Sequence, residues 1–284
     1  MGLADDIRRE ATGNGTKIQT HEEKQIEAML NNLFYLDKDI ENELIFLRSV
    51  MTRGQETTER RGLHASAVIV PESKFCYRQQ VLSLYYKQLQ GEQTPIGLKR
   101  IFTEGDAIHE KWQRLFIRGG LCKPLDCDMT HYNDDYVLTY TPDIIASIPV
   151  TYKLEDVYND DVPKEDYVIE VKSVNTFMYK KQKYHASGRK QCQLYMYLTG
   201  IKKGLVLCDN KNDQEFKVYK YDYTPSEISE YISRLERIQE YSDRLLNYNK
   251  LVRRCEPCTG YASKRATDCP MKDVCYGRSK ERLG

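Results

Sequence analysis

The chain has 284 residues, of which 40% are apolar, and its 43 Lys or Arg nearly balance 42 Asp or Glu, for a formal net charge of +1. That length allows one elaborated domain or two small ones, and the balance means that any nucleic-acid surface must be a local patch. No run approaches the roughly 20 apolar residues of a membrane span, and the N-terminus has no apolar signal core, so a cytoplasmic protein is expected. Nine cysteines, an odd number without a secretion signal, point to a reducing compartment, where clustered thiols bind metal more readily than they form disulfides. Tyr occurs 22 times and Trp once, at Trp112. Aromatic faces suit stacking on unpaired bases, although many tyrosines simply pack with a wet hydroxyl.

Residues 1–18 are polar and without period, and read as a frayed end. From Thr20 to Thr52 the apolar residues Ile26, Met29, Leu30, Leu33, Leu36, Ile40, Leu44 and Leu47 recur at helical spacing, which predicts one long helix or a hairpin of two. Residues 53–62 form a charged linker. A helix is expected from Phe75 onward, with Ser73 as its cap and Cys76 and Arg78 in its first turn. Another amphipathic helix is expected from Phe102 to Leu115, carrying His109. Taken alone, Cys76 reads as a small core residue and His109 as a satisfied structural histidine.

Strand-like segments follow at Tyr136–Tyr140 and Ile144–Val150, then an acidic loop from Glu155 to Asp166. Tyr167-Val168-Ile169-Glu170-Val171-Lys172 is a β-branched strand that places Glu170 and Lys172 on one face. Asp143 follows Pro142 at the start of another extended segment. Two carboxylates and a lysine on neighbouring strands are what metal-dependent phosphodiester hydrolysis needs. The carboxylates hold a divalent ion, and the lysine serves the attacking water. The same pattern also occurs on solvated strand edges, so it needs support from the rest of the chain.

Between Val171 and Cys208 there are eight Lys or Arg and no Asp or Glu. Lys180, Lys181, Lys183, Arg189 and Lys190 are interleaved with Phe177, Tyr179 and Tyr184, a composition suited to phosphates and unpaired bases. An apolar helix over Gln191–Leu198 comes next. Strands are expected at Gly204–Cys208 and Glu215–Lys220, with a turn at Asp209–Asp213, then a helix capped by Ser226 and reaching Leu251. The tail holds Cys255-x2-Cys258-x10-Cys269-x5-Cys275 amid Lys and Arg. It has too few apolar residues for a core of its own and would gain folding energy from a metal or cluster.

Taken in order, these residues resemble the iron–sulfur branch of the RecB-like nucleases in the PD-(D/E)XK superfamily, among them the CRISPR-associated RecB-like exonucleases and their phage relatives. The resemblance spans roughly residues 61–277 and rests on Cys76-x-Arg78, Gly105-x3-His109, Pro142-Asp143, Glu170-Val171-Lys172, Gln193-x3-Tyr197 and Cys269-Pro270-x4-Cys275. It implies an α/β fold, a PD-(D/E)XK core with a central mixed sheet flanked by helices. Around that core it implies an N-terminal helical extension (1–60), the nuclease core (61–254) and a C-terminal iron–sulfur region (255–284). It also implies Mg²⁺- or Mn²⁺-dependent hydrolysis of DNA, commonly from single-stranded ends, in recombination, repair or phage DNA processing, with recombination or CRISPR-type protein partners.

The roles follow from the same likeness. His109, Asp143, Glu170 and the Val171 carbonyl would hold the ion, Lys172 would serve the nucleophile, and Gln193 and Tyr197 would position Lys172 or the strand. A 4Fe–4S cluster would join Cys76 to the tail. The family's tail has three cysteines and this one has four, so Cys255 is expected as a ligand with Cys269 and Cys275, and Cys258 is its substitute. A zinc site on the four tail cysteines is the other reading, though it leaves Cys76 idle. Other function classes are a DNA-binding or integration accessory protein with a secondary nuclease site, and a restriction-type enzyme.

Overall fold

The β-branched run around Glu170 becomes the longest strand of the structure, and its neighbours arrange themselves on either side of it. The computed structural model describes residues 19–37, 40–55, 63–86, 96–127, 129–181, 184–267 and 269–278. The expected frayed end and most of the charged linker (56–62) lie outside the described residues. In chain order the elements are α1 (His21–Asn32), α2 (Ile40–Gln55), β1 (Leu63–His64), α3 (Ala65–Val68), α4 (Tyr77–Tyr85) and α5 (Ile96–Arg118). Next come β2 (His131–Asn133), β3 (Leu138–Tyr140), β4 (Ile144–Pro149), β5 (Lys164–Val174), α6 (Thr176–Lys181) and α7 (Tyr184–Thr199). The chain continues through β6 (Lys203–Asn210), β7 (Phe216–Asp222), α8 (Pro225–Tyr248), α9 (Lys264–Thr267) and α10 (Lys272–Cys275).

These elements form two units interleaved along the sequence: the described residues of Met1–Gln55, Arg100–Thr130 and Thr141–Pro225, and those of Glu56–Lys99, His131–Tyr140 and Ser226–Gly284. The first unit holds a sheet of order β4-β5-β6-β7. Its central pair β5–β6 is parallel and both outer pairs are antiparallel, so the sheet is mixed, as expected. One face sends Ile144, Ala146, Tyr167, Ile169, Val171, Leu205, Leu207 and Val218 into a core shared with α1, α2 and α5. Ile26, Met29, Phe46, Trp112 and Phe116 are the helical side of that core. The other face carries Val168, Glu170, Lys172 and Val206 under α7. There Cys192 donates its thiol to the Val168 carbonyl at 3.5 Å.

The N-terminal helices are built into this unit. Thr20 and Glu23 cap α1 reciprocally, with Thr20 N donating to Glu23 Oε2 at 2.7 Å. The other Glu23 oxygen accepts from Lys220 N at 2.6 Å, and Gln19 Nε2 donates to the Val218 carbonyl at 3.0 Å. Side chains of α1 thus satisfy backbone groups of β7, an edge strand that would otherwise offer them to another chain.

Several expectations change at their boundaries. The helical run after Thr20 breaks into α1 and α2 through a 3₁₀ turn at Leu33–Tyr35. Ser73 is not a helix cap: it lies in a 3₁₀ turn, and Cys76 takes the N-cap position of α4. The helix α8 starts at Pro225, whose fixed φ suits a first turn, rather than behind a Ser226 cap. Asp209 is not in a turn. It is fully buried in β6 and accepts from Lys111 Nζ at 2.6 Å and Trp112 Nε1 at 2.7 Å, which offsets its desolvation.

In the second unit, β3 pairs in parallel with β1 and antiparallel with β2. Arg234 of α8 is buried, donates to the carbonyls of Val68 and Val70 at 2.7 and 2.6 Å, and lies 4.5 Å over the Phe75 ring. Among the described residues, no helix is long and apolar enough to cross a membrane.

Candidate active site

Asp143 ends the loop before β4, where Ile144 pairs with Ile169 of β5, so its carboxylate reaches the next residue pair along β5. Its Oδ2 accepts the Val171 N–H at 2.7 Å, which fixes the side chain against the backbone of the strand bearing Glu170 and Lys172. Its Oδ1 lies 3.1 Å from His109 Nδ1. Gln113, one turn after His109 on α5, donates to the Asp143 carbonyl at 3.2 Å. One helix face therefore holds Asp143 by both its side chain and its backbone.

Glu170 is 1% exposed. Its Oε1 accepts from Lys172 Nζ at 2.5 Å, and its Oε2 is buried with no hydrogen-bond partner among the described residues. Burial first, and then the charge of Asp143, push its carboxyl up to about 8, against the pull of Lys172. For His109, burial pulls the imidazole down, but its hydrogen bond and charge interaction with Asp143 outweigh this and leave it raised. Burial likewise lowers Lys172, but Glu170 more than compensates, so its ammonium is held charged.

Lys172 also donates to Gln191 Oε1 at 3.1 Å, and Gln191 Nε2 donates to the Tyr195 hydroxyl at 3.1 Å. Gln193 and Tyr197 were expected in these places. Both pairs are spaced i, i+4, but a shift of two residues turns a helix by about 200°, so only one pair can face the sheet. Gln193 instead donates to the Asp222 carbonyl at 2.8 Å and accepts from Thr224 N at 2.9 Å, and so holds the connection from β7 to α8. Tyr197 is half-buried near Tyr223. The repeat Gln191-Cys192-Gln193-Leu194-Tyr195-Met196-Tyr197 held both pairs, and only the side of α7 that packs on β5 separates them. Gly188 permits that packing: a Cβ there would lie 2.7 Å from Val206 Cγ1 and 3.4 Å from Lys172 Cε.

Of the expected strand-contacting cations, Lys180, Lys181 and Lys190 are exposed and Lys183 lies outside the described residues. Arg189 is half-buried, 5.0 Å over the Tyr221 ring.

The expected iron–sulfur region falls within the second unit. Cys76, Cys258, Cys269 and Cys275 line one small pocket with Arg78 and Met271. Arg78 ties the tail to α4: it donates to Val252 O at 2.8 Å and to both Cys275 Sγ and Cys275 O at 3.1 Å. Cys255 shares hydrogen bonds with Cys76 and Cys258. Burial raises its thiol, but these bonds and Arg265 bring it below its ordinary value. Burial pushes Cys76 up to about 11 and Cys258 up to about 12. Among the described residues, no three His, Cys, Asp or Glu side chains stand at the geometry of a metal site, in the tail or around Asp143. The tail cysteines therefore stand as converging thiols and not as a formed ligand cage.

No family model and no curated protein matches the chain. Solved structures similar to the chain include the following three. LHK-Exo in complex with dAMP is 15% identical over 66% of this chain and 91% of that one, with a TM-score of 0.45. The alkaline exonuclease LHK-Exo from Laribacter hongkongensis is 14% identical over 66% and 91%, with a TM-score of 0.40. SSO0001 is 14% identical over 84% and 97%, with a TM-score of 0.41. At TM-scores this low none of these likenesses bears on the chemistry, which rests on the residues above.

Proposed function

We propose that the protein is a divalent-metal-dependent deoxyribonuclease that hydrolyses phosphodiester bonds at the ends of unpaired strands. The observation that carries this reading is Glu170, a fully buried carboxylate beside Asp143 whose Oε2 has no hydrogen-bond partner among the described residues. A buried oxygen of this kind costs about 1–3 kcal/mol when unsatisfied, a cost that a cation would relieve. Asp143, Glu170, His109 and the Val171 carbonyl are the oxygen and imidazole donors that suit Mg²⁺ or Mn²⁺. When bound, the ion would polarise the phosphate and make water a better nucleophile.

The chain supplies the rest. Lys172 presents a charged ammonium beside Glu170, where it orients the water and offsets charge that develops on the phosphate. Gln191 and Tyr195 hold Lys172 in place. Lys180, Lys181 and Lys190 offer exposed cations to the strand, with Arg189 beside them and Lys183 between by sequence.

In the second unit, the four cysteines of one pocket support a 4Fe–4S cluster clamping α4 to the tail, because thiolates are its ligands. Cys255 and Cys258 compete for the fourth place: Cys258 lines the pocket, and Cys255 shares hydrogen bonds with Cys76 and Cys258. The setting would be DNA recombination, repair or phage DNA processing in a cytoplasm, alongside recombination or CRISPR-type partners. The test is replacement of Asp143, Glu170 or Lys172 by alanine. Each folded variant should lose digestion of end-labelled single strands, and wild-type-like digestion by any of them removes the assignment.

A further inference from the structure

The short helix α6 begins one residue after β5, the strand that carries Glu170 and Lys172. Its start is pinned from several sides. Met178 N donates to Asn175 Oδ1 at 2.9 Å and Tyr179 N to Asn175 O at 2.8 Å. Thr176 N donates to Asn212 Oδ1 at 3.0 Å, and Thr176 Oγ1 to Asn210 Oδ1 at 3.3 Å. Lys211 N closes the turn on the Val174 carbonyl at 2.9 Å.

This fixed helix treats its two aromatic rings differently. Tyr179 is buried, with Lys217 Nζ 4.8 Å from its ring centre. Phe177 is 62% exposed. A single exposed apolar residue needs no explanation in itself, but this one is held in place, and exposed Lys180 and Lys181 share its helix. The Lys181 ammonium lies 3.9 Å over the ring. Phe177 lies five positions after Lys172, which limits the distance between their Cα atoms to about 17 Å.

We propose that Phe177 is a stacking platform for an unpaired nucleobase of the strand that reaches Lys172. This rests on the nuclease reading above and adds to it the residue that selects single strands. A phenyl ring offers a π-face to any base and cannot reach the edges of bases stacked inside a duplex. Lys180 and Lys181 supply the phosphate contacts on either side of that base. The ring then gives sequence-tolerant affinity, and the lysines give its salt dependence.

The experiment is binding of a thymidylate oligonucleotide substituted with 2-aminopurine at successive positions, in EDTA so that it is not cut. Fluorescence is followed as the full-length protein is added. The wild type should bind and quench the probe at one stretch of positions. Phe177→Ala should bind roughly tenfold more weakly and lose the quench, whereas Phe177→Trp keeps both. Lys180→Ala and Lys181→Ala should bind more weakly with a shallower salt slope, but still quench at saturation. Unchanged affinity and quench in Phe177→Ala overturn the proposal and leave the nuclease reading standing. Absence of wild-type binding to single and duplex DNA alike overturns both.

Discussion

Replacing Glu170 by glutamine should stabilise the metal-free protein at neutral pH while removing its chemistry. The carboxyl ionises near its ordinary value of 4.5 in the unfolded chain, but burial and Asp143 keep its proton on up to about 8 in the folded one. Between those values the folded state binds more protons than the unfolded state. The stability that Glu170 contributes is therefore complete below pH 4.5 and is lost as pH rises towards 8, by about 1.4 kcal/mol per pH unit. At pH 7.5 the accumulated loss is on the order of 4 kcal/mol. Glutamine has the same shape, does not titrate, and still offers its amide oxygen to Lys172. The raised His109 acts in the same direction in both proteins, mainly through Asp143, and only the smaller part due to the Glu170 charge enters the difference. Trp112 is the single tryptophan and is fully buried in the first unit, so its fluorescence reports unfolding of the right unit. Denaturant titrations in EDTA at pH 5.5, 6.5 and 7.5 should show Glu170→Gln gaining on the wild type at each step. Parallel curves, or a wild type that is the more stable at pH 7.5, would refute the reasoning.

Gln191→Ala should lower kcat by roughly tenfold, the worth of about one hydrogen bond to Lys172, with little change in Tm. Gln193→Ala should instead lose about 2 kcal/mol of stability through its two part-buried bonds and keep its kcat; the opposite pattern would return the catalytic role to Gln193. Gly188→Ala should force α7 away from Val206 and displace Lys172, so activity falls more than Tm; a crystal structure with Lys172 unmoved counts against this. Anaerobically purified protein should be brown, absorbing near about 400 nm; Cys76→Ala, Cys269→Ala and Cys275→Ala should each remove the colour, and so should one of Cys255→Ala and Cys258→Ala. Stoichiometric zinc without iron, or a fully coloured Cys76→Ala, would end the cluster reading.

The sheet was legible where the sequence runs apolar and β-branched over several residues. Tyr167–Lys172 and Gly204–Cys208 announce β5 and β6 because their apolar residues are buried on both faces. Asp209 misled because an aspartate before Asn-Lys-Asn-Asp resembles a turn, and its partners Lys111 and Trp112 lie about a hundred positions earlier. The candidate site was legible as Asp143, Glu170 and Lys172, since strand periodicity alone places Glu170 and Lys172 on one face. Gln191 was not, because a helix with two overlapping Gln-x3-Tyr pairs reveals its sheet-facing side only through packing at Gly188. Likewise, nothing in the spacing of Cys255 and Cys258 says that both converge on Cys76, one by hydrogen bond and the other in the pocket with Cys269 and Cys275.

The most direct measurement is a time course on end-labelled linear single strands and on closed circular single strands, with Mg²⁺ or Mn²⁺ and with EDTA. The account predicts that the linear strand is degraded only when a divalent ion is present, that the circle survives, and that Glu170→Gln degrades neither. Digestion of the linear strand by Glu170→Gln, or in EDTA, would contradict a metal-dependent nuclease at Asp143, Glu170 and Lys172.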